Sequence, residues 1–236
     1  METNMKYAVP PSPVYTLAVA GSDERFPVNR IFCVGRNYAA HAREMGRDPD
    51  REKPFFFMKP ANAAVAVDNA EVTIPYPPKT SNFHFEIELV VAITKGGKNI
   101  PVEQALEHVY GYAVGLDMTR RDVQLEARDK GRPWEFGKSF SQSAPIGPIH
   151  PVSDVGHLSD ATIALTVNGE HRQSSNISKL IWSVAESIAY LSEYETLEPG
   201  DIIMTGTPEG VNAVVPGDVM HGSVAGLTAI TVRVES

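Results

Sequence analysis

Glu86 and Glu88, in the stretch FHFEIELVV, place two acids one residue apart in a run that otherwise alternates like a strand. Side chains two apart on a strand share a face, so both carboxylates would lie together while Ile87 and Leu89 take the other face. Two ionised carboxylates that close repel unless one is protonated or a cation bridges them. On the pair alone, an exposed strand face and a shared cation are both open. Asp117 closes the apolar run YGYAVGLD, where a strand would empty into a loop or helix. Three carboxylates with no cysteine cluster and no clustered histidines form a hard, all-oxygen donor set, suited to Mg²⁺, Mn²⁺ or Ca²⁺ rather than zinc.

Other groups could act beside such a cage. His41 and Glu44, in NYAAHAREMG, are three apart, so on a helix they share a face and the carboxylate could orient the imidazole. Histidine titrates near neutrality and suits proton transfer. As a lone pair they could equally be surface residues. Lys138, in KGRPWEFGKSF, follows an aromatic turn beside Trp134, Phe136 and Phe140, and either aims inward, partly desolvated, or snorkels to water. In GDIIMTGTPEGV, Gly206 and Gly210 permit close backbone approach and Thr207 offers a hydroxyl and an amide to an anion, although such turns are often only turns.

The elements that must hold these residues are mostly strands. VYTLAVA, RIFCVG, FFFMKP, EIELVVAIT, YGYAVGLD, TIALTVNG, DIIMTG and LTAITVRVE read as short strands, most of them bounded by turn residues. Three helical readings interrupt them. NYAAHAREMG has Asn37 as N-cap and Gly46 as terminator, and VEQALEHVYG follows a proline. SKLIWSVAESIAYLSEYETL has Ser178 as cap and Leu180, Ile181, Val184, Ile188 and Leu191 as a buried stripe. Many strands and few helices, not strictly alternating, predict an α+β fold with mixed sheets.

Composition narrows the class. A chain of 236 residues, 42% hydrophobic and 21% charged, suits one globular domain, and no segment is apolar for long enough to span a bilayer as a helix. The net charge of −8, without a basic stripe, argues against nucleic-acid binding. No signal or transit peptide is legible at the N-terminus, which leads us to expect a cytoplasmic protein. The single cysteine, Cys33 in IFCVG, excludes an internal disulfide and reads as a buried structural thiol.

Taken in order, GRNYAAHAREMG, FFFMKP, FEIEL, LDMTRRDVQ, GRPWEFGKSF, VNGEHRQ and GDIIMTGTPEGV resemble the fumarylacetoacetate hydrolase family, from about Ile31 to Val232. The resemblance implies a β-rich fold of stacked, mixed sheets with a few short helices, and a homodimer. It also implies an N-terminal arm or hairpin over residues 1–30 ahead of a catalytic domain over 31–236. By the same resemblance, Mg²⁺ or Mn²⁺ is held by Glu86, Glu88 and Asp117, and His41 with Glu44 activates water. Lys138 is then the active-site lysine, and Arg36, Asn37, Arg121, Gln124 and Thr207 contact substrate. Ser141 stands where many members carry an aspartate, which leaves the support of Lys138 open.

The implied substrate is a β-diketo acid, an acylpyruvate, whose carbon–carbon bond is hydrolysed. Fumarylpyruvate, cleaved to fumarate and pyruvate at the end of gentisate degradation, is the preferred member. Acylpyruvase or oxaloacetate decarboxylase activity, 2-oxo dicarboxylate isomerisation, and a non-catalytic metal-stabilised binding protein are the alternatives. A second substrate carboxylate would call for a distal cation, for which Arg43, Arg47 and Arg132 are the candidates.

Overall fold

The structure is a computed structural model that describes residues 6–44, 52–68 and 70–236, without the side chains of residues 42–44. Strands dominate, as expected. An eight-stranded mixed sheet runs in the order Phe55–Lys59, Ile31–Gly35, Ile202–Met204, Ile87–Ile93, Val109–Leu116, Ala144–Ile146, Ala64–Ala66, with His150–Pro151 pairing beside Val109–Leu116. A five-stranded sheet runs Glu170–Asn176, Thr162–Val167, Val219–Val224, Ile230–Glu235, Val72–Pro75. Parallel and antiparallel pairs coexist: Ile202–Met204 lies parallel to Ile31–Gly35 and antiparallel to Ile87–Ile93. Thr16–Ala18 and Arg25–Pro27 form an antiparallel hairpin.

Both faces of the large sheet are buried, which is why its central strand Ile87–Ile93 is almost continuously apolar. Ile87, Leu89, Val91 and Ile93 join Ile163, Leu165, Met220, Ile230 and Val232 of the five-stranded sheet in the main core. Val90 and Ala92 face a second cluster with Leu17, Phe26, Ile31 and Cys33, so the hairpin covers the far face and the thiol is buried. FHFEIELVV is not one strand. Phe83–His84 pairs in a separate three-stranded sheet with Thr119–Arg120 and Ala213–Val214, and the chain breaks at Phe85 and Glu86 before Ile87 begins the central strand.

Two of the helical readings shift because of Asn37. Asn37 is not an N-cap: its side-chain carbonyl accepts the Trp182 amide at 2.7 Å, its amide donates to Trp182 O and Thr205 O, and its backbone carbonyl accepts Ile181 N–H. With the Ile181 and Trp182 amides committed to Asn37, the long reading from Ser178 cannot be a single helix. It divides into a 3₁₀ turn at Ile177–Lys179 and an α-helix at Val184–Tyr194. Ser183, not Ser178, caps the latter, in a reciprocal capping box with Glu186. The helix carrying His41 spans Ala39–Glu44, and Gly46 lies outside the described residues. Val102–His108 winds as 3₁₀ turns and leads directly into the strand Val109–Leu116. Among the described residues, no helix is long and apolar enough to cross a membrane.

Ser183→Ala is expected to lower unfolding free energy by about 1 kcal/mol in urea denaturation, and Ser183→Gly by only a few tenths. Equal losses for the two would show that the cap is not what starts this helix.

Candidate active site and cation centre

The three carboxylates meet. Glu86 comes from the break before the central strand, Glu88 from the strand itself, and Asp117 from the residue after Val109–Leu116. The Asp117 amide donates to the Glu86 carbonyl at 2.9 Å, which locks the two chain segments together. One oxygen from each side chain lies within 4.8 Å of the others, and all three residues are buried. The exposed-face reading of the glutamate pair is therefore excluded, while Ile87 and Leu89 anchor the strand in the core as expected.

Each acid is compensated differently. Glu86 bonds Arg121 through one oxygen and Lys138 Nζ through the other at 2.8 Å. Burial pushes its carboxyl upward, but Lys138, Arg121 and His41 together outweigh burial and hold it well below the usual carboxylate range. Asp117 Oδ2 bonds Lys138 at 2.6 Å, and its Oδ1 lies 2.8 Å from Lys59 Nζ. That second contact is an ion pair without hydrogen-bond alignment, because Lys59 has three protons and also reaches the carbonyls of Met118 and Lys138 and the Ser143 hydroxyl. Glu88 has the least support. Burial, then Asp117 and Glu86, push its carboxyl well above the ordinary value, against the Gly206 amide at 2.7 Å and the more distant Lys138. A poorly compensated carboxylate, an unaligned buried Asp117 oxygen and an all-oxygen set at this spacing fit a hard divalent cation.

Gly206 is fixed by this role. Its φ of +100° lies in the left-handed region, and a Cβ there would stand 2.7 Å from the Asn37 Cβ. Only glycine lets the amide reach Glu88 while Asn37 grips Thr205.

One cavity collects most of the expected site. Arg36, His41, Glu86, Glu88, Asp117, Arg121, Gln124, Lys138 and Thr207 all line it. Lys138 points inward, 3% exposed, with its ammonium 5.0 Å above the Phe57 ring, whereas the neighbouring Phe136 is 82% exposed. Ser141 is exposed, so the support of Lys138 comes from Glu86 and Asp117. Asn37 does not line the cavity. Its side chain bonds backbone groups of Trp182 and Thr205, which holds the Thr205–Gly206 turn in place. His41 is buried on its helix, while the side chain of Glu44 lies outside the described residues. Arg132 lines a different groove, with Phe136 and Pro133, and the side chains of Arg43 and Arg47 lie outside the described residues.

Three positions carry roles that motif reading did not assign. Lys59 ends the strand Phe55–Lys59 and is fully buried. Alternation along Phe55–Lys59 puts it on the face of Phe57, a signal that an apolar strand carries a charge into the core. Gln173, in VNGEHRQ, accepts the Ile87 amide at 3.0 Å and donates to Thr207 Oγ1 at 2.9 Å, tying the residue between the two glutamates to the Thr207 loop. It was hidden in a polar edge strand, Glu170–Asn176, that lacks apolar alternation. Arg128 lines the cavity from the helix Arg121–Asp129.

The chain is similar to several known proteins. Residues 30–235 match the family described as fumarylacetoacetate (FAA) hydrolase C-terminal. A fumarylpyruvate hydrolase of a Ralstonia species is 51% identical over 192 residues, 80% of this chain and 98% of its own length. A mitochondrial oxaloacetate tautomerase of Homo sapiens is 42% identical over 205 residues, 87% of this chain and 91% of its own. The crystal structure of fumarylpyruvate hydrolase from Pseudomonas aeruginosa in complex with Mn²⁺ and pyruvate superposes with a TM-score of 0.96 at 58% identity, covering 98% of this chain and 99% of that one.

Glu88→Gln is isosteric and can still accept the Gly206 amide, yet it removes one charge from a crowded buried set. Without metal, the variant is expected to melt at or above the wild-type temperature, because the least compensated carboxylate is gone. In titration calorimetry its Mn²⁺ affinity should fall by at least about 10- to 100-fold, no less than the loss typical of disturbing a supporting shell. Unchanged Mn²⁺ affinity would remove Glu88 from the cation site.

Proposed function

The chain belongs to the fumarylacetoacetate hydrolase family, and from that membership and the geometry of its cavity we propose that it hydrolyses the carbon–carbon bond of an acylpyruvate, fumarylpyruvate before others. The observation that carries the reading is the convergence of the buried Glu86, Glu88 and Asp117 with Lys138 and His41 in one cavity. Mere metal stapling needs neither a buried histidine nor a buried lysine facing the same space, which speaks against a non-catalytic binding protein. The two fumarylpyruvate hydrolases among the relatives support the choice of substrate.

Cleavage between the two carbonyls requires water to attack the distal carbonyl carbon. A new carbon–oxygen bond forms, the carbon–carbon bond breaks, and its electron pair leaves as the enolate of pyruvate, which is then protonated. A divalent cation at the three carboxylates supplies Lewis-acid stabilisation for negative charge on the pyruvoyl oxygens. His41, facing the cavity from its helix, accepts the proton from the attacking water at a ring nitrogen. Glu44, three residues on, is the partner proposed to steady that imidazole.

Lys138 is held ionised: burial would lower it, but Asp117 and Glu86 raise it. Its ammonium can hydrogen-bond oxygen as charge develops and then donate a proton. Arg121, Gln124 and Thr207 orient the substrate, and Arg36 borders the same space with its guanidinium 5.2 Å over the Phe55 ring. The products are fumarate and pyruvate, placing the reaction at the end of gentisate degradation. Either Mg²⁺ or Mn²⁺ suits the oxygen donors, and the family resemblance argues for a homodimer.

The relative named for oxaloacetate tautomerisation gives a second reading a specific basis, since that reaction also places charge on the oxygen of a 2-oxo acid. Comparing kcat/KM for fumarylpyruvate, acetylpyruvate and oxaloacetate, each with Mg²⁺ and Mn²⁺, separates the two. Fumarylpyruvate is expected to lead, and His41→Ala should lower its turnover about 10²- to 10⁴-fold. Equal pyruvate release by wild type and His41→Ala would sink the assignment of His41 as base. Oxaloacetate leading the panel would favour the second reading.

A further inference from the structure

Arg121, Gln124 and Arg128 recur at intervals of three and four along the helix Arg121–Asp129, so they form one polar stripe, and all three line the cavity. The stripe has a direction. Its first member, Arg121, is buried against Glu86 at the carboxylate cluster and passes a hydrogen bond to Gln124 Oε1 at 3.1 Å. Its last member lies seven residues further on, about 10 Å along the axis at 1.5 Å per residue.

The helix is firmly placed. Asp122 accepts the Thr80 hydroxyl at 2.6 Å and the Ser81 amide at 2.9 Å, and a Cβ on Gly137 would stand 2.7 Å from the Gln124 Cβ. The Arg121–Arg128 spacing is therefore a fixed length measured away from the acidic centre.

The guanidinium of Arg128 is available at the outer end. Its partner is the adjacent Asp129, with contacts of 2.9 Å from Nε and 2.8 Å from Nη2 to the same oxygen, and the Asp129 side chain is 64% exposed. Exposed pairs of this kind contribute little and exchange readily. The Arg128 side chain is only 25% exposed, and Trp134 and Phe57 border the same cavity. An arginine beside aromatic walls suits a planar carboxylate, which it can grip with two parallel hydrogen bonds.

Resting on the acylpyruvate reading, we infer that Arg128 is the specificity residue for the distal carboxylate of a 2-oxo dicarboxylate, with the stripe from Arg121 to Arg128 setting the substrate length that is accepted. Six carbon–carbon bonds of about 1.5 Å, zigzagging, separate the terminal carboxylate carbons of a seven-carbon chain by roughly 7 to 8 Å. That span, with the reach of the side chains, matches the length of the stripe. Arg132, a cation suggested by the sequence, lines a different groove, and the side chains of Arg43 and Arg47 lie outside the described residues.

The test uses binding, so that it does not depend on turnover. Mn²⁺-loaded wild type, Arg128→Met and Arg128→Lys are titrated calorimetrically with 2-oxopimelate and with 2-oxoheptanoate, seven-carbon 2-oxo acids that differ in the distal carboxylate and cannot undergo the hydrolysis. Wild type is expected to prefer 2-oxopimelate by about 10- to 100-fold, as for a site built to hydrogen-bond a polar group. In Arg128→Met that preference should collapse towards one, and Arg128→Lys should keep only part of it. A wild type without preference, or an Arg128→Met protein that keeps it, overturns the inference. If the wild type shows the preference and Arg128→Met loses it, but the wild type releases no pyruvate from fumarylpyruvate, the hydrolytic function fails while the role of Arg128 stands.

Discussion

Three buried acids held within 4.8 Å of one another are the constraint around which the rest of the structure is arranged. Like charges at about 4 Å cost roughly 4 kcal/mol per pair at the effective dielectric of a protein surface, and more in the interior. The fold meets this with cations from three directions. Lys138 comes from the turn Glu135–Lys138, Lys59 from the end of a sheet strand, and Arg121 from the first turn of a helix. Glu88 alone is left with a backbone amide. The compensation is therefore uneven in a useful way, because the oxygens that remain poorly satisfied are those that a divalent cation would take up.

Backbone geometry far from the acids serves the same end. Asn37 holds Ile181–Trp182 on one side and Thr205 on the other, and this fixes Gly206 where its amide meets Glu88. Gln173 reaches from the five-stranded sheet to the Ile87 amide and the Thr207 hydroxyl. Each uses a side-chain amide, which both donates and accepts, to tie together segments that are far apart in the sequence. A charged residue in either place would add to the crowding, and an aliphatic one would leave buried backbone groups unpaired.

What the sequence revealed follows from what short-range pattern can encode. The E-x-E spacing, the apolar anchors Ile87 and Leu89 and the acid at the end of YGYAVGL were legible because strand periodicity fixes them locally. The carboxylates nevertheless converge through a break at Phe85–Glu86 that periodicity does not reveal. Asn37 looked like a cap because asparagine caps helices, and only its contacts about 145 and 168 positions away show otherwise. Those same contacts explain why the stripe from Leu180 to Leu191 is not one helix. Lys59 was visible as a motif residue but not as a buried charge, since its partners Asp117, Lys138 and Ser143 lie 58 or more positions along the chain.

The site also divides into parts with different freedom to change. Its acidic end sits in and at the ends of sheet strands that are packed on both faces, so displacing Glu88 would displace Ile87 and Leu89 in the main core. Its outer end is drawn from Arg128, late in the helix Arg121–Asp129, and from Trp134 in the aromatic turn, both half-buried. Relatives named for fumarylpyruvate hydrolysis and for oxaloacetate tautomerisation are both similar to this chain. A rigid acidic end, joined to an outer end that can be rewritten residue by residue, is a physical arrangement that permits such divergence without rebuilding the core.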